Sequence, residues 1–387
     1  NSEISDKGSS FGINNIGLVI AKKPSNKKWS NVNFAIGTNC IANYKSLQYY
    51  SGKSRGSLTD FFAEQANADI TDPYYVDLAF NADALLFDTI QNKYISDLEN
   101  NKTDLLKKNQ TISTKGSIND LSISLAGNYK EKWFLGASIG IPILSYTENK
   151  TYKEINDNIA SPFNYLTFDE YLSTNGVGIN LKLGVIYKLN KILRFGAAVH
   201  TPTAFSLNDS YSKTLTYSYV GSNNANVENT SNSPDGSYKY QLNTPWKLIG
   251  SVGAVFAKSG FVSAEVEYVD YSSSNFTFSN SDDEKNYERS VNNDITTNYK
   301  GTMNIKLGAE YAVDIFRIRG GYALYGSPFN NSTSGGSKSI YSGGIGLRGD
   351  VFFLDLGYQY SVNSDGYIPY TTINSIQQFV ERKFSKS

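Results

Sequence analysis

Residues 177–188 read VGINLKLGVIYK, and along them an apolar side chain alternates with a small or polar one. In an extended chain successive side chains point to opposite faces, so such alternation predicts a β-strand with one apolar face. That face carries Val177, Ile179, Leu181, Leu183, Val185 and Tyr187. Ile186 is the one apolar residue on the other face.

The same alternation recurs along most of the chain. Clear apolar faces start at Leu121, Met303, Phe316 and Phe352. With the stretch 177–188 and these four, the sequence predicts about thirteen strands and an all-β fold. The remaining strands are expected at about 11–22, 31–50, 132–152, 192–215, 237–257, 260–279, 338–349 and 375–387.

The connections between these strands alternate in length. Short ones fall at 22–28, 129–132, 188–191, 257–260, 313–314 and 349–350, and long ones at about 51–108, 154–168, 216–236, 280–298, 328–337 and 361–374. Short turns on one side and long loops on the other are typical of antiparallel barrels of the bacterial outer membrane. We therefore predict a single transmembrane β-barrel domain over residues 1–387.

Composition agrees with a barrel and excludes several other classes. The chain has 29 Tyr and 21 Phe, a mean hydropathy of -0.38 and no net charge. A low mean hydropathy is compatible with barrel strands, in which only alternate residues face lipid. The even charge argues against nucleic acid as a partner. A single cysteine, Cys40, and a single histidine, His200, leave no basis for a metal site or a bound cofactor.

A soluble sandwich or propeller is the alternative, since alternation alone does not say which face is inside. Trp246 and Phe256 favour the membrane. They lie ten residues apart on the apolar face, which at about 40° of strand tilt separates them by roughly 25 Å along the membrane normal. That spacing fits the two aromatic girdles of a barrel.

Strand parity predicts one more strand. Short turns and both chain ends of a bacterial barrel normally lie on the periplasmic side, so the strand at 11–22 needs an ascending strand before it. We expect a barrel of about 14 strands whose first strand and N-terminal plug, or hatch, are absent from this chain. A few C-terminal residues after Ser387 are expected to be absent as well.

Several passages resemble the FadL-type outer-membrane transporter family, in particular its Bacteroidota branch. They are LRFGAAVHTPTAF at 193–205, LNTPWKLIGSVGAVFAKSGFVSAEVEYVDY at 242–271, IRGGYALYGSPF at 318–329 and YSGGIGLRGDVFFLDLGY at 341–358. The resemblance covers about residues 10–387 and implies a fourteen-stranded barrel. The family's hatch, with its Asn-Pro-Ala segment, has no match here.

The resemblance also implies a function. Members of the family move long-chain fatty acids or hydrocarbons from an extracellular groove to an inner site and out through a gap in the wall. A kinked third strand forms that gap, and in this chain it corresponds to 31–50. Gly37 and Asn39 mark the expected kink, although a glycine in a barrel strand is more often a packing or curvature device.

The longest connection, 51–108, predicts two helices on the extracellular side. Ser57 and Asp60 are spaced as a capping box, and Asp72 with Pro73 reads as the start of a second helix that runs to Ile90. The apolar stripe of such a hairpin usually packs against its partner helix or over the barrel mouth. The functional interpretation is a landing site for a hydrophobic ligand, formed by Phe61, Phe62, Tyr74, Tyr75 and Phe87.

The predicted lumen face gathers charged residues: Arg194, Glu265, Glu267, Lys306, Glu310, Arg317 and Arg319. Paired carboxylates such as Glu265 and Glu267 are compatible with acid–base catalysis, but amid lysine and arginine they predict a network of ion pairs. No nucleophile, phosphate-loop or metal-ligand motif is present, so we do not expect an enzyme. The acidic run 281–284 and the Asn/Ser-rich run 222–236 read as solvated loops.

Two functions remain open at this point. The first is an outer-membrane channel for diffusive uptake of hydrophobic small molecules such as long-chain fatty acids, captured by the extracellular loops. The second is a non-transporting barrel that serves as a subunit of an outer-membrane assembly or secretion complex. The expected partners are accordingly membrane lipid, a hydrophobic small molecule and possible outer-membrane proteins. A general porin is disfavoured, because it requires an open, wet lumen.

Overall fold

The computed structural model describes residues 14–26, 28–95, 98, 105–158, 161–256, 259–278, 281–331, 336–349, 352–367, 370 and 380–386. The strands are β1 (Asn15–Lys22), β2 (Trp29–Asn43), β3 (Ser46–Ser54), β4 (Leu86–Asp88), β5 (Lys93–Ile95), β6 (Leu106–Tyr129), β7 (Trp133–Ile155), β8 (Phe163–Lys188), β9 (Leu193–His200), β10 (Ala204–Val220), β11 (Asn226–Asn232), β12 (Gly236–Asn243), β13 (Lys247–Phe256), β14 (Gly260–Asp270), β15 (Asn275–Thr277), β16 (Gly301–Val313), β17 (Phe316–Tyr325), β18 (Lys338–Arg348), β19 (Phe353–Tyr367) and β20 (Val380–Lys386). The helices are α1 (Leu58–Asn67), α2 (Val76–Asn81) and α3 (Asp282–Asn298).

All strands except the small β4–β5 hairpin belong to one antiparallel sheet. At four positions in the wall, two strands follow each other in line and together form one wall strand. These are β2 and β3, β9 and β10, β12 and β13, and β14 and β15. β11 folds back on β10 as a hairpin. Counted this way, the described wall has thirteen consecutive strands, and the prediction of an all-β antiparallel barrel is confirmed.

The apolar face of the wall points outward. Leu181 and Leu183 are exposed on the outside of β8, whereas Lys182 between them lies on the inner face. Trp246 and Phe256 are 53% and 52% exposed, so both girdle positions face outward as predicted. A wall with this outer face buries its apolar surface only when lipid surrounds it. None of the helices among the described residues combines the length and apolar composition needed to cross a membrane.

Three neighbouring strands are much longer than a membrane crossing requires. β6, β7 and β8 have 24, 23 and 26 residues, whereas a tilted strand crosses with about ten. From Trp133 to Glu154 along β7 the wall rises by roughly 55 Å, about twice the apolar band. These strands therefore project well above the membrane, and the connection predicted at 154–168 shortens to the segment between Ile155 and Phe163.

Each antiparallel pairing reverses the strand direction. Because the wall has thirteen strands from β1 to β20, the direction reverses an even number of times, and the two end strands run in the same direction. β1 pairs with β2 and β20 with β19. Antiparallel closure needs one further strand between them. The predicted N-terminal strand and hatch lie outside the described residues and stay predictions.

One predicted loop is a helix. The run at 281–284 starts α3: Ser281 is its N-cap, the Ser281 side chain accepts a hydrogen bond from the Glu284 amide, and three acidic residues fill the first turn. Negative charge at a helix N-terminus is stabilised by the helix dipole. The prediction of a solvated loop at 281–284 was therefore wrong in its secondary structure. The region is polar, but it is ordered as a helix.

Candidate functional site

The extracellular connection after β3 folds into a cap on the projecting part of the sheet. Ser57 and Asp60 form the predicted capping box of α1. α1 then buries Leu58, Phe62 and Ala66 against α2 and the inner face of the sheet. The sheet contributes Leu106, Tyr152, Phe163, Leu166, Phe168, Leu215 and Tyr217 to this hydrophobic core. The two predicted helices are thus present.

The second helix is shorter than the spacing of apolar residues suggested. Asp72 does not cap it directly; its carboxylate accepts the Tyr74 amide at 2.7 Å and forms a turn before Val76. α2 ends at Asn81, and the chain continues into the β4–β5 hairpin. Ile90, expected on the apolar stripe, is 94% exposed. The helical periodicity past residue 81 was therefore misleading.

The buried carboxylate of Glu154 fastens α1 to the sheet. It accepts hydrogen bonds from the Leu58 amide at 3.1 Å, the Tyr152 hydroxyl at 2.7 Å and the Ser57 hydroxyl. Lys108 lies 3.7 Å away and donates to the Tyr370 hydroxyl at 2.9 Å. Tyr370 belongs to the connection between β19 and β20, so this cluster joins the first and last extracellular connections of the described chain.

Burial sets the ionisation of this cluster. Removal from water raises the pKa of the Glu154 carboxyl and lowers the pKa of the Lys108 ammonium, each toward the uncharged form. Their mutual attraction and the hydrogen bonds to Glu154 oppose both shifts without cancelling them. The Tyr370 hydroxyl, whose pKa burial raises, stays protonated. The cluster is therefore a structural anchor whose strength depends on pH.

Next to the anchor, the cap leaves a cavity of about 330 Å³ over the inner face of the sheet. Its lining includes Tyr74, Tyr75, Leu172 and Tyr211. The rings of Tyr74 and Tyr211 are 5.0 Å apart. The size falls within the range of small-molecule sites, and aromatic walls give such a site apolar surface with hydroxyl groups at its edge.

Charged side chains form one wall of this cavity. The Lys213 ammonium sits 3.4 Å from the centre of the Tyr75 ring and 3.2 Å from a Glu170 oxygen. Lys150 lies 2.8 Å from Glu148, and both residues belong to β7. Two ammonium groups and the carboxyl groups of Asp72, Glu148 and Glu170 thus stand beside an aromatic surface. This arrangement suits a ligand that is mostly apolar and carries one anionic end.

The five aromatic residues predicted as a landing site occupy three different environments. Phe61 and Phe62 contact each other, Phe62 is fully buried in the cap core, and Phe61 packs on Tyr75 at 5.5 Å. Tyr74 and Tyr75 line the cavity. Phe87 is half exposed on the β4–β5 hairpin, where it contacts Tyr94. The structure brings four of the five together and places Phe87 apart.

A second aromatic cluster, which was not predicted from sequence, lies on β12 beside β10. Tyr238 and Tyr240 of β12 contact Phe278, which packs on Tyr287 of α3. Phe276 stacks on Phe278 with an angle of 9° between the rings. The signal was present: aromatic residues occur at i and i+2 in both segments, which places them on one face of a strand.

The predicted kink lies close to a real irregularity of the wall. Gly37 and Asn39 on β2 face the lumen, opposite Ser122 and Asp120 of β6. The pairing register shifts between Cys40 and Ala42, and the strand breaks before β3 begins. Such a bulge bends a strand and leaves part of its backbone unpaired.

The predicted lumen charges form two separate groups. Lys306 pairs with Glu265 at 2.9 Å, and beside them the Asn304 amide donates to Glu267. Arg319 pairs with Glu310 at 2.6 Å and with Asp355 at 2.6 Å. The other two residues lie apart from these pairs: Arg317 donates to the carbonyls of Asp314 and Phe316, and Arg194 lies on β9 opposite Gly253.

A third lumen pair was not predicted. Asp120 of β6 is almost fully buried and bonds to Lys182 of β8. Gly140 of β7 separates them, and a side chain there would come within 2.7 Å of an Asp120 oxygen. A cavity of about 740 Å³ at this level also touches Asn33, His200 and Glu265. No cluster of potential metal ligands occurs among the described residues.

An apolar outer face, a charged inner face and an ordered extracellular cap define an outer-membrane β-barrel. Comparison with known proteins makes the class specific. A model of the family described as outer membrane protein transport protein (OMPP1/FadL/TodX) matches residues 102–378. The chain belongs to this family of outer-membrane transport proteins, and it is a channel of the class that takes up hydrophobic compounds.

Solved structures of similar fold include a Pseudomonas aeruginosa FadL homologue, with 13% identity over 96% of this chain and 75% of that chain and a TM-score of 0.50. The CymD monoaromatic hydrocarbon channel is 13% identical over 90% of this chain and 82% of that chain, with a TM-score of 0.40. The toluene transporter TodX of P. putida is 10% identical over 96% and 84%, with a TM-score of 0.41. No curated protein matches the chain.

Proposed function

We propose that this channel captures amphiphilic hydrophobic molecules, such as long-chain fatty acids, in the cavity beneath its extracellular cap. The observation that carries the proposal is the cavity of about 330 Å³ that combines Tyr74, Tyr75 and Tyr211 with Lys150 and Lys213. An alkyl chain packs on the aromatic rings and loses contact with water. A carboxylate end pairs with the two ammonium groups, in competition with Glu148 and Glu170.

Uptake then proceeds by diffusion. The ligand passes from the cap into the barrel and leaves through the wall beside Gly37 and Asn39. Two features support this exit: the register shift after Cys40, and the fact that β3 pairs with β6 alone among the residues the structure describes. The ion pairs that line the lumen wall make a long stay of an apolar ligand there unfavourable, which favours an early lateral exit.

Capture is tested by measuring the binding of a fluorescent fatty acid to the purified protein. Replacing Tyr75 and Tyr211 together by Ala should weaken binding by about tenfold or more, since each ring contributes a large apolar contact. Tyr49→Ala is the matched control, because Tyr49 is an exposed tyrosine of β3 that bonds to Asn109. Equal affinity of the double variant and the control would contradict capture in this cavity.

The exit is tested separately by uptake into proteoliposomes. Asn39→Trp places a bulky ring at the inner side of the bulge and should slow uptake while leaving fatty-acid binding unchanged. Asn119→Trp, on the outer face of the neighbouring strand, is the control. Unchanged uptake in Asn39→Trp would rule out this exit. Stable co-purifying proteins together with no fatty-acid binding would favour the non-transporting subunit instead.

A further inference from the structure

Three short turns, which join β1 to β2, β6 to β7 and β8 to β9, lie next to one another on the periplasmic rim. The Lys130 amide donates to the Lys28 carbonyl at 2.7 Å, which joins the turn before β2 to the turn between β6 and β7. The Lys188 amide donates to the Lys132 carbonyl at 2.8 Å, which joins the next turn in the same way. Lysines of separate turns are therefore neighbours.

This part of the rim carries a strong positive charge. Lys28, Lys130, Lys132 and Lys191 are all exposed, and Glu131 is the acidic residue among them. The turn between β16 and β17 differs: it carries Asp314, and the nearby Arg317 guanidinium is already bonded to backbone carbonyls. The β16–β17 turn therefore does not repeat the basic character of the β2–β9 side.

Aromatic side chains form the next layer above the basic rim. Trp29 meets Tyr129 edge to face at 5.3 Å, and Trp133 lies 4.5 Å from Tyr187. The Lys130 ammonium rests 5.4 Å from the centre of the Tyr129 ring, so it is held at the outer side of the wall. Tryptophan and tyrosine prefer the boundary between lipid headgroups and acyl chains. This layer therefore marks the level of the lipid ester groups.

Above the aromatic layer the outer face is concave. A groove of about 700 Å³ runs across β6, β7, β8 and β9, and Leu135, Leu183 and Val199 line it. Its depth comes from small outward residues, including Gly127 and Ala137. Trp29 closes its lower end, because a side chain at Gly127 would come within 2.6 Å of the Trp29 ring.

We propose that this surface binds one anionic phospholipid of the periplasmic leaflet. The phosphate pairs with Lys28, Lys130 and Lys132, the ester region lies at the Trp29–Tyr129 layer, and an acyl chain fills the groove. The order of cationic, aromatic and apolar layers along the membrane normal is the order of groups in such a lipid. The site is separate from the cap and does not depend on the proposed function.

Native mass spectrometry of the full-length protein in detergent micelles tests this site, with added phosphatidylglycerol or phosphatidylethanolamine. The protein should retain phosphatidylglycerol preferentially. Replacing Lys28, Lys130 and Lys132 by Ala should weaken its retention by on the order of 100-fold, since lysines near an anionic surface contribute independently. The control replaces Lys239, Lys285 and Lys338, three exposed lysines elsewhere, and should retain phosphatidylglycerol as the unaltered protein does.

A second variant tests the groove. Ala137→Trp fills it from the outer face and should shorten the retention of phosphatidylglycerol without removing the preference for negative charge. Three outcomes would overturn the proposal: equal retention of the two lipids, unchanged retention in the triple lysine variant, or complete displacement of the lipid by soluble glycerol phosphate. The last outcome would assign the lysines to a free phosphate instead of a lipid.

Discussion

The Arg319 guanidinium of β17 reaches across the intervening strand β18 to the Asp355 carboxylate of β19, with Nη1 and Oδ1 2.6 Å apart. β18 places Gly344 opposite Arg319 and Gly346 opposite Asp355. A side chain at Gly346 would begin 2.2 Å from the Asp355 oxygen. Only a residue without a side chain leaves room for an ion pair between strands that are not neighbours.

Gly346→Val should therefore remove the Arg319–Asp355 contact and leave the Arg319–Glu310 contact in place. Because these side chains remain about one third exposed, the ion pair contributes only about 0.2–1 kcal/mol to the free energy of unfolding. Urea unfolding in lipid vesicles measures the loss. Gly343→Val is the control, since a Cβ at that position would meet no atom within 4 Å. The loss should shrink in the Arg319→Gln background, and a loss of the same size there would disprove the contact's role.

Phe62→Ala should loosen the cap without unfolding the wall. The Phe62 side chain of α1 is fully buried and packs against Phe168. Its truncation leaves a cavity that lowers the stability of the cap by about 3–5 kcal/mol. Hydrogen exchange of the α1 amides should accelerate, whereas exchange in β7 near Trp133 should not change. Phe80→Ala, an exposed contact of Tyr94, is the matched control. Equal acceleration by both variants would contradict this assignment.

The cap should be most stable at acidic pH with respect to Glu154. Burial raises the pKa of this carboxyl above its ordinary value of 4.5, so the folded cap favours the protonated form. The stabilisation of the folded cap by protonated Glu154 is complete below pH 4.5 and is lost as the pH rises through the raised pKa of Glu154. Exchange of the Leu58 amide, corrected for its intrinsic rate, should speed up over that interval. Glu154→Gln should flatten the profile; an unchanged profile in this variant would show that another group titrates.

Gly37→Ala should separate β1 from β2. The added carbon would lie 2.9 Å from the Ile16 carbonyl oxygen, which is backbone and moves only with the strand. We expect a loss of about 1–3 kcal/mol in the free energy of unfolding, typical of overpacking. Gly17→Ala on the facing strand is the control, because its nearest contact would be an ordinary 3.4 Å. Similar losses in both variants would refute a special role for Gly37.

The wall could be predicted from sequence because its determinant is local. A period of two residues is visible within a single strand, as at 177–188, although its phase shifts by one residue across the breaks at 201–203 and 244–246. Those breaks were not predicted. The resulting strands run on at the same wall position, so pairing with neighbours, rather than local sequence, holds the two halves in line.

The cap site was only partly predictable, since its determinants are distant in sequence. Ser57 with Asp60 identified the start of α1, but Ser57 also bonds to Glu154, and Lys108 bonds to Tyr370 from the other end of the chain. No periodicity reports such contacts. α3 was missed because it has no apolar stripe, although Ser281 and Glu284 have the spacing of a helix N-terminus.

The height of β6, β7 and β8 has an electrostatic consequence. Glu154 stands about 30 Å above the apolar band, and Lys150 and Lys213 stand about 18 Å above it, if the strands keep a tilt of about 40°. In physiological salt the potential of a charged surface decays over about 8 Å. The negative charge of the surrounding lipid is therefore screened before it reaches Lys150 and Lys213. A carboxylate approaching from the medium therefore meets the local field of these two lysines and of their partners Glu148 and Glu170, and not the repulsion of the membrane.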